Sequence, residues 1–403
     1  MPISQEPTLS PVAFDPQRDV IDPESREVRL ASSWNPSGVE AIAEIVDKLG
    51  ELKEIEFVLV FVSPNYPPDE IVAGLEKYLC AIRYAGCSTS GEIGPCGVTE
   101  SSVVMIAFPR RSFNVVCTSL SDCGNFDLEK GAELVAELRH QLMSHADATD
   151  EHLVAMTLLD GLCRSEERIL SALQFGLNNI PLVGGSSGDN LALRDTFVLH
   201  DGQVLRETGL LLLIHTELPF RVFESNHFEP TARKMVVTSC DPEARVVKEL
   251  DASPAGETFA AAVGLEIQTL NSMSFATHPL LVRIGDKYYC RSIQKLNPDG
   301  SLSFYCAIDT GVVLTVAHTK DMVRSLEEAF ANLEAELGPI DSIIGFDCTH
   351  RRLEAESRQI QQQISNLFQR YHVAGFCTYG EQYNALHLNY TFSAVAFGRS
   401  KAP

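Results

Sequence analysis

The stretch Ala374–Gly398, AGFCTYGEQYNALHLNYTFSAVAFG, decides how the rest of the chain is read. It reads as the end of a strand, a polar loop bearing glycine, and a second apolar strand. Its echo is Ala85–Phe108, AGCSTSGEIGPCGVTESSVVMIAF. Both carry Ala-Gly, two further residues, then Thr-x-Gly-Glu, and both close on an apolar run ending in Ala-Phe. A weaker copy runs from Val183, as VGGSSGDN, to the run GLLLLIH ending at His215.

Outward from these loops the same order of elements recurs. Near-continuous apolar runs at Glu56–Val62, Leu153–Leu159 and Ile343–Phe346 read as strands covered on both faces, with helices above and below the sheet. Helical spacing precedes each loop, at Ile71, Leu75 and Tyr78, after Ser165, and at Ile360, Ile364 and Leu367. Ser37 is expected to cap a helix, and Thr319 another whose apolar face is Met322, Leu326, Phe330, Leu333 and Leu337. Glu354–Tyr371 reads as a single helix. Asp201-Gly202 marks a hairpin. Residues 280–316 alternate strands with turns at Gly285-Asp286 and Asp299-Gly300, an antiparallel meander. The fold class is therefore α/β, in two domains of repeated strand–helix–strand–loop–strand units, with the meander in the second. The boundaries are a polar leader over 1–30, a first domain over 31–229 and a second over 230–403. Repetition at this scale is duplication of a supersecondary unit.

Composition narrows the function classes. A net charge of −22 over 403 residues repels phosphate backbones and anionic lipid, so neither nucleic acid nor a membrane is expected as partner. No apolar run approaches the roughly 20 residues of a membrane-spanning helix. The N-terminal residues lack the pattern of a secretory signal. The 11 cysteines are odd in number and scattered, which fits reduced thiols in the cytoplasm.

The candidate site residues lie on the repeated loops. Glycines such as Gly91 let backbone approach a ligand closely. Cys87, Thr89, Glu92, Thr378, Tyr379 and Glu381 supply polar groups beside them; the alternative is that Thr and Glu cap their own turns. Gly184, Gly185, Ser186, Gly188 and Asp189 offer amide N–H groups and hydroxyls. The G-x-S-x-G match at Gly184, Ser186 and Gly188 lacks the following helix that a serine nucleophile needs. Asp347–Arg352, DCTHRR, leaves a strand end, where ligands bind in open α/β sheets. Cys348, His350 and Arg351 there suit an anion, a carboxylate or a metal. Cys163 occupies a comparable place in the second copy.

Together GCSTSGEI, VGGSSGDN, DCTHR and GFCTYGEQ, with the downstream HLNYTF and AVAFG, resemble the FIST family of sensory proteins. The resemblance implies a ligand sensor in signal transduction that acts on a histidine kinase or other signalling protein, and leaves room for a homo-oligomer. Some stand-alone proteins of this layout are nitric-oxide sensors with haem b. On that likeness His387 and then His350 are the candidate iron ligands. The sequence departs from the commoner family pattern at Tyr390 and at His350. The rival expectations are a sensor of a small metabolite such as an amino acid, held by Arg351 with Glu92 or Glu381, and an enzyme using Ser186 or Cys348.

Overall fold

The structure, a computed structural model, describes residues 26–143 and 149–400, without the side chains of residues 272 and 273. Residues 1–25, most of the expected leader, lie outside this range. From Glu27 the chain is fastened, since the amides of Glu27 and Val28 donate to the Asp341 carboxylate at 2.8 and 3.1 Å.

Three units repeat one plan. The first runs Arg29–Ser33, helix Gly38–Leu49, strand Ile55–Val62, helix Pro68–Leu79, strand Arg83–Ser88, a hairpin of Glu92–Gly94 and Gly97–Thr99, and strand Val103–Pro109. The second follows the same order from Phe113–Leu120 through Leu153–Leu159, Leu182–Ser186 and the hairpin Val198–His200 and Gln203–Leu205 to Gly209–Thr216. In the third, Phe220–Ser225 is followed by an insertion. The plan then resumes with helix Met322–Leu337, strand Ile340–Cys348, helices Thr349–Ser357 and Gln361–Arg370, strand Val373–Thr378, hairpin Glu381–Tyr383 and Leu386–Leu388, and strand Phe392–Gly398. What reads as a polar loop in each copy is thus a two-stranded arm.

The arms are exchanged in a ring. The first unit's arm pairs with the third sheet (Ile93 opposite Gly375), the second unit's with the first sheet (Val198 opposite Cys87), and the third unit's with the second sheet (Glu381 opposite Gly185). Each arm covers a parallel-strand edge whose N–H and C=O groups would otherwise stand open. The three sheets enclose a common core in which Phe61, Met156, Leu158, Phe346 and Phe376 are fully buried. Helices cover the outer faces, as the strands' two-sided apolarity requires.

The glycine of each copy has a packing cause. Gly86, Gly184 and Gly375 stand opposite Val60, Thr157 and Gly345 on the parallel neighbour. A Cβ there would lie 2.1, 2.2 and 1.7 Å from those residues' carbonyl oxygens. Only a residue without Cβ permits that approach.

Local chemistry sets the helix ends. Ser37 caps its helix through the Glu40 amide. Before Met322–Leu337 the cap is Asp321, which accepts from the Arg324 amide, while Thr319 ends a strand. The span 354–371 is two helices, because Gln359 adopts φ +58° and closes the first. The insertion, residues 228–319, is an antiparallel sheet in the order Lys287–Arg291, Leu280–Ile284, Val313–Thr319, Phe228–Asp241, Val246–Leu250, Leu302–Phe304, Ile293–Leu296. Its own core contains Val237, Phe259, Leu302 and Leu314.

Candidate functional site

The three repeated loops meet, and they meet one another. The Ser90 amide donates to the Cys377 carbonyl at 2.9 Å, Cys377 to Gly91 at 2.7 Å, Gly188 to Ser88 at 3.1 Å, and Ser186 to Gly380 at 2.8 Å. Gly188 passes so close that a Cβ would lie 2.3 Å from Ser90 Oγ. Gly185 is pressed against Thr378 and Phe376, and Gly91 packs on Arg352 and Cys377. The loops form a knot where the three sheets converge.

Their acidic residues are engaged inside that knot. The Thr89 hydroxyl donates to one oxygen of Glu92, and the Ser102 amide and hydroxyl donate to the other at 3.1 and 2.8 Å. Thr378 and Thr391 bind Glu381 in the same way, Thr391 at the same two distances. Burial raises both carboxyls, to about 7 for Glu92 and about 8 for Glu381, against the pull of these donors. Gln382, unmentioned among the candidates, fastens Ser186 by a bond of 3.0 Å. Asp189 accepts from the amides of Leu193, Arg194 and Asp195 and from Tyr379, whose hydroxyl accepts from Asp189 and Leu191. Cys87 faces the common core, its thiol held up by burial. These residues serve as latches. A cavity of about 390 Å³ touches a latch, at Asp189. The cavity of about 550 Å³ is lined by Asp150, Arg221 and Tyr383 among others. A small one, of about 10 Å³, lies beside Arg351.

A second group of polar side chains is less satisfied. Arg351 is 1% exposed and pairs Nε with Asp347 at 2.6 Å and Nη1 with His227 Nδ1 at 3.0 Å. Its Nη2 has no partner. His227 Nε2 meets Glu354 at 2.9 Å. Burial lowers the His227 imidazole and raises the Asp347 carboxyl; the bond from His227 and the nearby guanidinium groups hold Glu354 below its ordinary value in spite of burial. The Tyr390 hydroxyl is buried without a well-formed hydrogen bond, and Asn389 Oδ1 and His387 Nδ1 are buried and unpaired as well. Leaving such groups unpaired costs about 1–3 kcal/mol each.

These residues border the seam between the insertion and the ring. His227 lies with Asn226 in the two-residue link between Phe220–Ser225 and Phe228–Asp241. His350 stacks on Tyr390, 5.5 Å between centroids and 12° from parallel, and meets Tyr305 of the insertion edge-on at 4.8 Å. Farther along, Arg245 joins the Tyr305 carbonyl at 2.7 Å to Glu166 and Glu167 of the second unit at 2.6 and 2.9 Å. Arg291 of the insertion reaches the His387 carbonyl at 3.4 Å. The sequence pointed to Arg351, His350, Cys348 and His387 in this seam. It missed the roles of Asp347 and Glu354, which stand three or four residues from Arg351, and it missed His227, Tyr305 and Arg245, which reach this region only through the insertion and its link. Tyr390 did leave a signal, because the two departures from the family pattern are the two stacked rings.

The placement of the histidines does not suit haem. His350 is enclosed by Tyr390, Tyr305 and Cys348 Sγ, 3.8 Å from its Nδ1, and burial lowers it to about 4. His387 abuts Gly380, where a Cβ would lie 2.1 Å from its Cε1. Nucleophilic chemistry is equally unsupported. Cys348 is held far above its ordinary value by burial, and Ser186 ends its strand with its hydroxyl bonded to the Gln382 amide.

The chain matches the FIST N domain over residues 56–253 and the FIST C domain over residues 255–384. It belongs to the FIST family. FIST domains are sensory rather than catalytic, so a ligand-binding signalling role follows. The chain is also 22% identical to an uncharacterized protein of Methanocaldococcus jannaschii, across 91% of this chain and 77% of the relative. No helix among the described residues is long and apolar enough to cross a membrane.

Proposed function

We propose that this FIST protein senses a small carboxylate-bearing metabolite, of which amino acids are one class, bound in the seam between the insertion and the third unit. The supporting observation is the Arg351 guanidinium. It is buried, held in plane by Asp347 and His227, and has an N–H edge at Nη2 left over. A buried donor edge of this kind suits a carboxylate oxygen, with the Tyr390 hydroxyl as a second donor. Glu92 and Glu381, once expected to take the amine, are latched elsewhere; Glu354 is the acid in this network.

The signal is a change in how the insertion docks. A ligand shifts a conformational equilibrium only by its differential affinity for the two states. The seam offers that difference, because His227 stands in the link to the insertion and Tyr305 and Arg291 belong to the insertion itself. The altered surface is then read by a signalling partner, with a histidine kinase as the expected class.

The test is a thermal-shift panel of amino acids and simple carboxylates on the full chain, with a hemin arm. A stabilising carboxylate should lose its effect in Arg351→Lys and be weakened about 10-fold or more in Tyr390→Phe, while both variants keep the wild-type fold. If no carboxylate stabilises the chain and added hemin gives a Soret band that shifts with nitric oxide, the haem reading replaces this one.

A further inference from the structure

Away from the seam, two histidines and a glutamate converge at the end of the second sheet. His152 closes the turn Asp150–His152 that leads into strand Leu153–Leu159. His215 lies on the neighbouring strand Gly209–Thr216, opposite Leu153, and Glu217 follows that strand. Antiparallel register therefore places residues distant in sequence side by side. His152 Nδ1 is 3.6 Å and His215 Nε2 is 3.4 Å from the same oxygen, Glu217 Oε1. One ligand atom from each residue lies within 4.8 Å of the others, the one such group among the described residues.

We propose that His152, His215 and Glu217 form a binding site for a divalent transition metal, with zinc the best match. Two imidazoles and a carboxylate suit zinc, whose nitrogen ligands stand about 2.0–2.1 Å from the ion. Tetrahedral ligands at that radius are about 3.3 Å apart, near the two separations already present. The second, independent sign is hydrogen bonding. His152 Nδ1 and His215 Nε2 are both buried without a well-formed hydrogen bond, and the His215 side chain is only 7% exposed. These are the two nitrogens aimed at the cluster.

The remaining position faces solvent. The Glu217 side chain is 70% exposed and free to turn toward an ion. Asp150 and Glu151, next to His152, line the cavity of about 550 Å³ together with Arg221 and Tyr383. Three protein ligands and an outward fourth position make an open site that a water or a partner's side chain completes. No residue of this cluster belongs to the seam, so the proposal stands apart from the carboxylate reading.

The test is calorimetric titration of zinc into the full, reduced and metal-stripped chain, with His152→Ala and Glu217→Gln as variants. Both replaced side chains are partly exposed, and unchanged melting in chelator confirms the fold. The expected result is one zinc per chain with affinity falling about 10-fold or more in each variant. Cobalt should give visible ligand-field bands without thiolate charge-transfer bands. The cysteines are the competing zinc ligands. Absence of binding at millimolar zinc, affinities in both variants within twofold of wild type, or thiolate bands with cobalt would overturn the proposal.

Discussion

Replacing Glu381 by glutamine should change how the protein's stability depends on pH. The Glu381 carboxyl is fully buried and raised to about 8, against an ordinary 4.5, by burial. The folded chain therefore keeps a proton that the unfolded chain loses above about pH 4.5. Where the folded state binds more protons, stability falls as pH rises. The loss begins near pH 4.5 and ends once pH passes about 8. At about 1.4 kcal/mol per pH unit, roughly 3 kcal/mol is gone by pH 7 and roughly 5 kcal/mol in all. Glu92, raised to about 7 by burial, adds the same sign over a shorter window. Buried imidazoles act in the opposite sense. His227, His350 and His387 are lowered by burial and so add stability as pH rises toward about 6.5. A difference curve between wild type and variant cancels them. Urea unfolding at intervals from pH 5 to 8.5 should give a wild-type-minus-Glu381→Gln difference that declines by about 1 kcal/mol per pH unit between pH 5 and 7.5. A flat or rising difference would refute the claim that this carboxyl is protonated in the fold.

Gly375→Ala should fail to give folded protein, or lose about 3 kcal/mol or more, because its Cβ would stand 1.7 Å from the Gly345 carbonyl oxygen. Gly124→Ala, which meets nothing within 4 Å, is the matched control in a chemical unfolding series. Arg245→Met should leave Glu166 buried without its partner at 2.6 Å, a loss of about 3–5 kcal/mol. Hydrogen exchange should rise mainly in residues 228–319, and protection unchanged there would show that this pair does not hold the insertion. Tyr390→Phe without ligand should be neutral or stabilising in thermal melts, because it removes a buried hydroxyl lacking a well-formed bond. A loss above about 1 kcal/mol would mean that the hydroxyl has a strong partner.

The sequence by itself fixed the units and their spacing. Apolar runs such as Glu56–Val62 and the repeated Ala-Gly with Thr-x-Gly-Glu are local patterns, and local patterns specify strands, turns and the faces they bury. The meander within residues 280–316 was legible for the same reason. The tertiary structure alone decided what those patterns are for. The repeated glycines serve the approach of a neighbouring strand at Val60, Thr157 and Gly345, and Glu92 and Glu381 hold their own loops together. Which arm pairs with which sheet depends on contacts hundreds of residues apart, and no local pattern encodes them. The same holds for the seam around Arg351 and for the meeting of His152 with His215 and Glu217. A single residue reveals its chemical type but not its neighbours, and an unpaired buried nitrogen is a property of neighbours.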